Sequence, residues 1–235
     1  MIGSLLVLLT VSAVANAAGK VEFVAGAVSA TSAAGSERKL TKGDVLANGD
    51  LVRTGQDGLA QLRFEDGGRI ALQPKSEFRI DEYAYPATTK SQERGFFSLL
   101  KGGMRTITGQ VGRDNRDAYR VTTSVATIGI RGTEYRVAYL DNNSVALWTA
   151  EGAVEVCNDT GCSLVVAGEV AVIRGGQPME RLAFSSFSAS QELAGSLLPA
   201  FAVGEGRRGD GYLGGMPKCY YYTYYIYAPP TLICN

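Results

Sequence analysis

Short β-type runs follow one another along most of the chain, and they constrain its fold more than any other feature. Between Lys20 and about Arg174 the runs are separated by Gly, Asp and Asn, with about one turn signal every ten residues. The segments LAQLRF and RIALQ alternate apolar and polar residues, as half-buried strands do. The pattern predicts an all-β fold, either a solenoid-like stack of short strands or, as an alternative, a β-sandwich or barrel.

Composition divides the chain into three parts. Residues 1–17 form an uncharged apolar run that ends in small residues, which is typical of a secretory signal cleaved after Ala17. The run lacks the basic residue usual before such a segment, which leaves an uncleaved anchor open as an alternative. We expect a β domain over residues 18–184, with no stable membrane span once the signal is removed.

Residues 185–235 differ in composition from the segment before them. They begin with a linker rich in Gly and Ser, in which SASQELAGSLL predicts a short helix. They end in CYYYTYYIYAPPTLIC, and we call residues 216–235 the tyrosine-rich tail. We therefore expect an irregular Gly- and Tyr-rich C-terminal segment beside the β domain.

Histidine is absent from the chain, which removes the commonest general base, the usual nucleophile pairs and imidazole metal sites. A carboxylate pair, Glu65 and Asp66, lies in FEDGGR, but this sequence is first of all a hairpin turn. We expect a non-enzymatic protein without a cofactor or metal. The 23 basic and 23 acidic residues balance, which argues against a nucleic-acid partner.

The four cysteines of an exported chain predict disulfides rather than a zinc site. Cys157 and Cys162 bracket the turn sequence NDTG, which brings two strand ends together. Cys219 and Cys234 would then close a second loop around the tyrosine-rich tail.

Three stretches together resemble a known family. They are GDVLANGDLVRTGQDGLAQLRFEDGGRIALQPKSEFRID, FFSLLKGGMRTITGQVG and YRVTTSVATIGIRGTEYRV. The combination resembles the FecR domain over residues 20–175, and the resemblance implies an exported, all-β, solenoid-like module. In the best-known members this module passes a ligand signal from an outer-membrane transporter to a sigma factor. With no anti-sigma domain ahead of the export signal, we expect the stand-alone secreted type.

The segment ATIGIRGTEYRV places Gly129 and Gly132 on either side of Ile130-Arg131 within an apolar strand. One explanation is geometric: the glycines let the chain turn a corner or admit a close neighbouring backbone, and Arg131 points outward or pairs with a carboxylate such as Glu134 or Glu151. The other comes from the resemblance, because some related membrane-bound regulators cut themselves at a Gly-Thr bond. Gly132-Thr133 matches that motif, so self-cleavage stays open as an alternative.

The function predicted from these features is recognition of a protein or envelope glycan in the periplasm or outside the cell. Arg131 is the first candidate contact, with Arg105 and Arg120 as weaker ones. Tyr221 and Tyr224 are candidate binding residues of the tyrosine-rich tail, whose rings suit packing, glycan stacking or recruitment of another chain. As an alternative, the chain is a structural subunit of a homo-oligomer or surface polymer that assembles by strand addition.

Overall fold

A computed structural model describes residues 17–183, 219–222 and 231–234, and almost all regular structure in them is β. The strands are β1 (Ala17–Ala25), β2 (Val28–Thr31), β3 (Glu37–Lys39), β4 (Val45–Ala47), β5 (Leu51–Thr54), β6 (Leu59–Phe64), β7 (Arg69–Leu72), β8 (Glu77–Ala84), β9 (Arg94–Lys101), β10 (Gly103–Ile107), β11 (Tyr119–Thr122), β12 (Thr127–Asp141), β13 (Ser144–Asn158), β14 (Gly161–Val166), β15 (Glu169–Arg174), β16 (Glu180–Ala183), β17 (Cys219–Tyr222) and β18 (Thr231–Cys234). One short α-helix, α1 (Gln110–Asp114), and two 3-10 turns, Lys90–Gln92 and Arg116–Ala118, complete the described elements. The predicted all-β class is confirmed.

The hairpin of β6 and β7 shows how the local sequence determines these strands. Leu62 pairs with Ile70, and both side chains are buried in the core. The EDGG turn between the strands closes with Gly67 at a φ of 83°, a region that glycine occupies without strain. Asp66 caps α1, because its carboxylate accepts the amide proton of Val111. The prediction that Glu65-Asp66 lies in a hairpin turn is therefore confirmed.

Sixteen of the described strands form one sheet, which divides into two sectors. The first sector contains β3, β2, β5, β8, β9 and β11, and the second contains β4, β1, β6, β7 and β10. The long hairpin of β12 and β13 belongs to both, because residues 127–131 of β12 follow β11 while residues 134–138 follow β10. On the far side of the hairpin, β14 continues the first sector, and β15 and β16 continue the second.

The two sectors face each other across a core that contains an aromatic cluster. Phe64 from the second sector lies with its ring centroid 5.0 Å from that of Phe97 and 5.1 Å from that of Tyr83, both in the first. Tyr119 packs on the other side of Phe97, at 5.7 Å. The sheet therefore curls over its own apolar face, and the barrel-like alternative of the prediction describes this arrangement.

Glycine carries the chain between sectors at the FFSLLKGGMRTIT segment. The sequence predicts one strand that bends at Gly102-Gly103, whereas the structure has β9 in the first sector and β10 in the second, joined at Gly102 with a φ of 74°. Among the described residues, no helix has the length and apolarity needed to cross a membrane. β17 and β18 form a separate two-stranded antiparallel sheet.

Candidate functional site

The glycines of the β12–β13 hairpin form a corner at the boundary of the two sectors. Gly132 has a φ of 67° and Gly152, on the facing strand, a φ of 74°. The pairing of β12 with β13 is interrupted between Arg131 and Glu134, which is the position of a bulge. A Cβ on Gly152 would overlap the carbonyl oxygen of Gly132 and lie 2.9 Å from Cγ2 of Thr133. The bend requires glycine at 152, where a Cβ has no room, and is least strained with glycine at 132, where φ is left-handed.

Gly129 has a different environment from Gly132. Its φ lies outside the left-handed region, and a Cβ there would meet only the carbonyl oxygen of Glu155, at 3.9 Å. The expectation that Gly129 helps to turn the corner is therefore wrong, since Gly132 does this with Gly152. The backbone of Arg131 pairs with that of Ala153, which in turn pairs with Val166. The side chain of Arg131 lies outside the described part of the structure.

The arginines named as weaker contact candidates are held by their neighbours. Arg105 binds Glu134, with its Nε and Nη2 each 2.8 Å from Oε1 of that carboxylate. Whether Arg131 points outward or pairs with Glu134 or Glu151 stays a prediction. The guanidinium of Arg120 lies 4.4 Å from the centroid of the Phe96 ring, in a cation–π contact.

Thr133, the residue of the Gly-Thr motif, is buried beside Thr108 at the corner. The hydroxyl of Thr108 donates a hydrogen bond to the carbonyl oxygen of Thr133 at 2.8 Å and lies 3.3 Å from the Thr133 hydroxyl. The Thr133 hydroxyl thus lies beside a neutral hydroxyl, which is a poor general base. Self-cleavage at Gly132-Thr133 stays a prediction.

Two buried phenols lie in the interior of the curled sheet. The hydroxyl groups of Tyr119 and Tyr135 lie 3.4 Å apart. Burial raises the pKa of Tyr135 to about 12 and raises the pKa of Tyr119 well above its ordinary value, so both stay protonated at neutral pH. The cavity beside Tyr119 has a volume of about 10 Å³, which is room for one water molecule.

β14 is an edge strand near the corner, because β13 is its one strand partner among the described strands. Cys162, Leu164 and Val166 occupy alternate positions of this strand, and Leu164 and Val166 are 37% and 42% exposed. The amide of Ala167 donates a hydrogen bond to the carbonyl oxygen of Gly152. Because hydrogen-bonded and non-hydrogen-bonded pairs alternate along an antiparallel ladder, Val166 and Leu164 form no hydrogen bonds with the residues opposite them, Ala153 and Glu155. The backbone groups of Leu164 and Val166 therefore point away from β13, toward the free side of the strand.

Two charged side chains occupy part of this free side. The amide of Val166 donates a hydrogen bond to Oε2 of Glu169 at 3.1 Å. Nη1 of Arg181, from β16, donates to the carbonyl oxygen of Leu164, also at 3.1 Å. We call the outward backbone groups of Cys162, Leu164 and Val166, together with these two side chains, the β14 edge. Charged groups at such an edge limit pairing with other strands.

A disulfide connects β14 to its partner strand. Cys157 and Cys162 form this bond across the β13–β14 pair, with their Cα atoms 4.0 Å apart. The predicted pairing of these cysteines is confirmed. Because the bond joins the two strands next to the turn between them, it holds the β14 edge in a defined register with β13.

The tyrosine-rich tail is described only in its two strands. The backbone register of β17 and β18 places Cys219 opposite Cys234 and Tyr221 opposite Leu232. The disulfide between Cys219 and Cys234 and the binding role of Tyr221 stay predictions. Tyr224 lies outside the described residues.

Reasoning from the sequence missed Leu164 and Val166 as candidate contact residues. The run LVVAGEVAVI has the composition of one buried strand. In the structure Gly168, with a φ of 86°, divides it into the exposed β14 and the buried β15. Gly168 within the run and the nearby Cys162 were the available signals for an exposed edge.

Comparison with known proteins supports the resemblance noted above. Residues 50–155 match the family model described as FecR protein. The match runs from the start of β5 into β13 and ends before β14. No curated protein matches the chain.

Two crystal structures of a candidate anti-sigma factor from Parabacteroides distasonis ATCC 8503, at 1.65 and 2.50 Å resolution, are similar to part of the chain. Each aligns with 15% identity and a TM-score of 0.46, over 57% of this chain. The chain spans 59% of the length of those structures. A likeness at this level supports no inference about function.

Proposed function

We propose that this protein, in which residues 50–155 form a FecR domain, is an exported, non-enzymatic sensing module that binds an extended segment of another envelope protein along the β14 edge. The observation that carries the proposal is the edge itself. Its outward backbone groups and the exposed side chains of Leu164 and Val166 are what a partner strand requires.

Strand addition explains why the apolar residues of β14 lie at alternate positions. A partner strand would hydrogen-bond to the outward amide and carbonyl groups, which gives affinity without a pocket. The side chains of Leu164 and Val166 would contact alternate side chains of that strand, which gives selectivity. The disulfide between Cys157 and Cys162 limits movement of β14 before binding, which lowers the entropic cost of association.

Export is supported by the same disulfide. Bonds of this kind form and persist in oxidising compartments such as the periplasm and the cell exterior, and they are rare in the cytosol. The apolar run before Ala17 agrees with this location. A non-enzymatic role is supported by the lack of histidine and by the neutral surroundings of the Thr133 hydroxyl.

Site-directed photo-crosslinking tests the proposed function. A photoreactive amino acid at Val166, in the full chain expressed in its own envelope, should form a covalent adduct with one partner protein. The substitution Leu164→Pro should abolish the adduct, because it removes an outward amide while leaving the hydrogen bonds between β13 and β14 in place. Val45, which is 52% exposed on the edge strand β4, is the matched control position and should give no such adduct.

The result that contradicts the proposal is an adduct that survives Leu164→Pro, or one that forms equally at Val45. An adduct with polysaccharide in place of protein would assign the site to an envelope glycan and would overturn the strand-addition mechanism. Loss of the Cys157–Cys162 bond in the Leu164→Pro protein would show that β14 was disrupted, so the intact bond is checked by mass spectrometry.

A homo-oligomer is the second candidate, because β17 and β18 form a small antiparallel sheet with two outer edges of its own. A strand of this sheet in one copy could pair with the β14 edge of another. Sedimentation over a range of concentrations distinguishes the candidates. Assembly that disappears on deletion of residues 216–235 favours the oligomer, and a monomer at high concentration with the tail intact excludes it.

A further inference from the structure

The outer face of the second sector is buried where β12, β13, β15 and β16 form it, although it lies on the opposite side of the sheet from the main core. We call this surface the covered face, and it has four buried members, Ala138, Ala146, Val170 and Val172, with Leu140, Trp148 and Leu182 packed against them. All seven belong to β12, β13, β15 and β16. Val170 is 0% exposed and Val172 is 1% exposed.

Neighbours within the face cannot account for this burial alone. Val170 lies between Trp148 on β13 and Leu182 on β16 in the register of the sheet. These side chains stand beside it, roughly perpendicular to the sheet, and shield its flanks but not its outward end. Complete burial of a valine at such a position requires atoms above it. The described members of the cluster supply none.

The charge beside the covered face leads to the same conclusion. The guanidinium of Arg136 lies 4.9 Å from the centroid of the Trp148 ring. Burial lowers the pKa of Arg136, with a smaller contribution from nearby Arg105, and its Nε has no hydrogen-bond partner among the described residues. An arginine on an open sheet face would keep its Nε in water. Arg136 is therefore shielded from solvent by something that lies over the face.

The chain itself continues at this surface. β16 ends at Ala183, one residue after Leu182, and residues 184–203 follow. Within these residues SASQELAGSLL predicts a helix in which Leu193 and Leu197 lie one turn apart on one side and Ser188 and Gln191 lie on the opposite side. Pro199 ends this helix, and Phe201 follows it. A helix with this sequence would have one apolar and one polar side. Its length, about 16 Å for about 11 residues, matches the width of four strands, about 15 to 20 Å.

We infer that residues 184–203 dock their apolar side on the covered face, with Leu193, Leu197 and Phe201 over Trp148 and Val170. The occupant is a segment of the same chain rather than a partner, because it begins where the face ends and has the required apolar residues at the required spacing. This inference is independent of the proposed binding at the β14 edge. Its consequence is that the tyrosine-rich tail is tethered to the second sector.

Fluorescence of Trp148 tests the docking directly, because it is the chain's one tryptophan. In the full chain, the double substitution Leu197→Glu/Phe201→Glu should shift the emission maximum to the red and raise the acrylamide quenching constant by about twofold or more, because the ring loses its cover. The matched control, Ser188→Glu/Gln191→Glu, adds the same charge on the polar side and should leave both values unchanged. The milder pair Leu197→Ala/Phe201→Ala should give an intermediate change.

Three results would overturn the inference. The first is Trp148 emission and quenching that are the same in the Leu197→Glu/Phe201→Glu protein and the unsubstituted one. The second is quenching in the unsubstituted protein equal to that of free tryptophan amide. The third is shielding that is lost on dilution, which would identify a second copy as the cover. Far-UV circular dichroism and the intact Cys157–Cys162 bond establish that each variant has kept the β domain.

Discussion

The outer faces of the β12–β13 hairpin differ on the two sides of the glycine corner. On the first side, Val166 of β14 points outward and is 42% exposed. On the second side, Val170 of β15 also points outward, only four residues later in the chain, and is 0% exposed. Both strands pair with β13 and both valines lie on the face opposite the main core. The two valines are therefore a matched pair in one hairpin.

One continuous sheet therefore has two kinds of outer surface. Next to β14 the apolar residues are few, they alternate with a disulfide cysteine, and charged groups hold the backbone of the strand. Next to β15 the apolar residues form one contiguous cluster across four strands, which includes the ring of Trp148. An isolated exposed valine needs no cover, whereas a contiguous apolar patch on a soluble protein generally has one.

The largest effect is expected at the corner that separates the two surfaces. Gly152→Val should lower the free energy of unfolding by about 3 kcal/mol or more, because a side chain there overlaps the Gly132 carbonyl and the φ of 74° disfavours a β-branched residue. Gly132→Ala should cost about 1 kcal/mol, since its Cβ would meet only Cγ of Arg113, at 3.9 Å, and only the φ is unfavourable. Urea denaturation measures both.

Gly129→Ala is the control for this series and should change the free energy of unfolding by less than about 0.5 kcal/mol, because its position is open and its φ is not left-handed. Equal costs at Gly129 and Gly152 would show that the corner does not depend on glycine. They would also remove the reason for treating the two outer faces as separate surfaces.

The next effect compares the matched valines. Val170→Ala should lower the free energy of unfolding by about 2 kcal/mol, because it removes two buried methyl groups and leaves a cavity. Val166→Ala should change it by less than about 0.5 kcal/mol, since that side chain is 42% exposed and its truncation leaves no enclosed cavity. The measurement is the same urea denaturation. A similar cost at both positions would contradict the difference in burial between the two faces.

Sequence reasoning predicted the parts of this molecule that depend on neighbours in the chain. The hairpin at Glu65-Asp66, the disulfide between Cys157 and Cys162 and a bend at Gly132 follow from local turn and spacing rules. The role of each glycine was harder to predict. Gly168 ends a strand, Gly152 bends one and Gly129 does neither. All three lie in similar β-type sequence, and only contacts with distant strands distinguish them.

The rest depended on which strands meet in space. Glu134 binds Arg105 because β10 pairs with β12, and no local pattern indicates that pairing. No helix was predicted at α1, because its cap comes from Asp66, in a turn that the chain forms much earlier. The exposure of Leu164 likewise depends on β14 lying at an edge. These features need the topology, which strand patterns alone leave open.

The smallest effect concerns the charged groups of the β14 edge. Glu169→Ala removes the acceptor that holds the outward amide of Val166. If this contact limits strand addition, its loss should tighten binding of the partner segment by up to about fivefold, because an exposed hydrogen bond of this kind contributes less than about 1 kcal/mol. Titration of the purified full chain with the partner identified by crosslinking measures the change. Arg181→Ala, which frees the carbonyl of Leu164, should act in the same direction.

Glu180→Ala is the matched control, because Glu180 binds Arg174 on the neighbouring strands and does not contact β14. Binding should be unchanged in this variant, whereas a general effect of charge would strengthen it as much as Glu169→Ala does. Weaker binding in the Glu169→Ala protein would mean that the carboxylate contacts the partner directly. The charged groups would then belong to the recognition surface, and the exposed and covered faces would differ in their chemistry as well as in their burial.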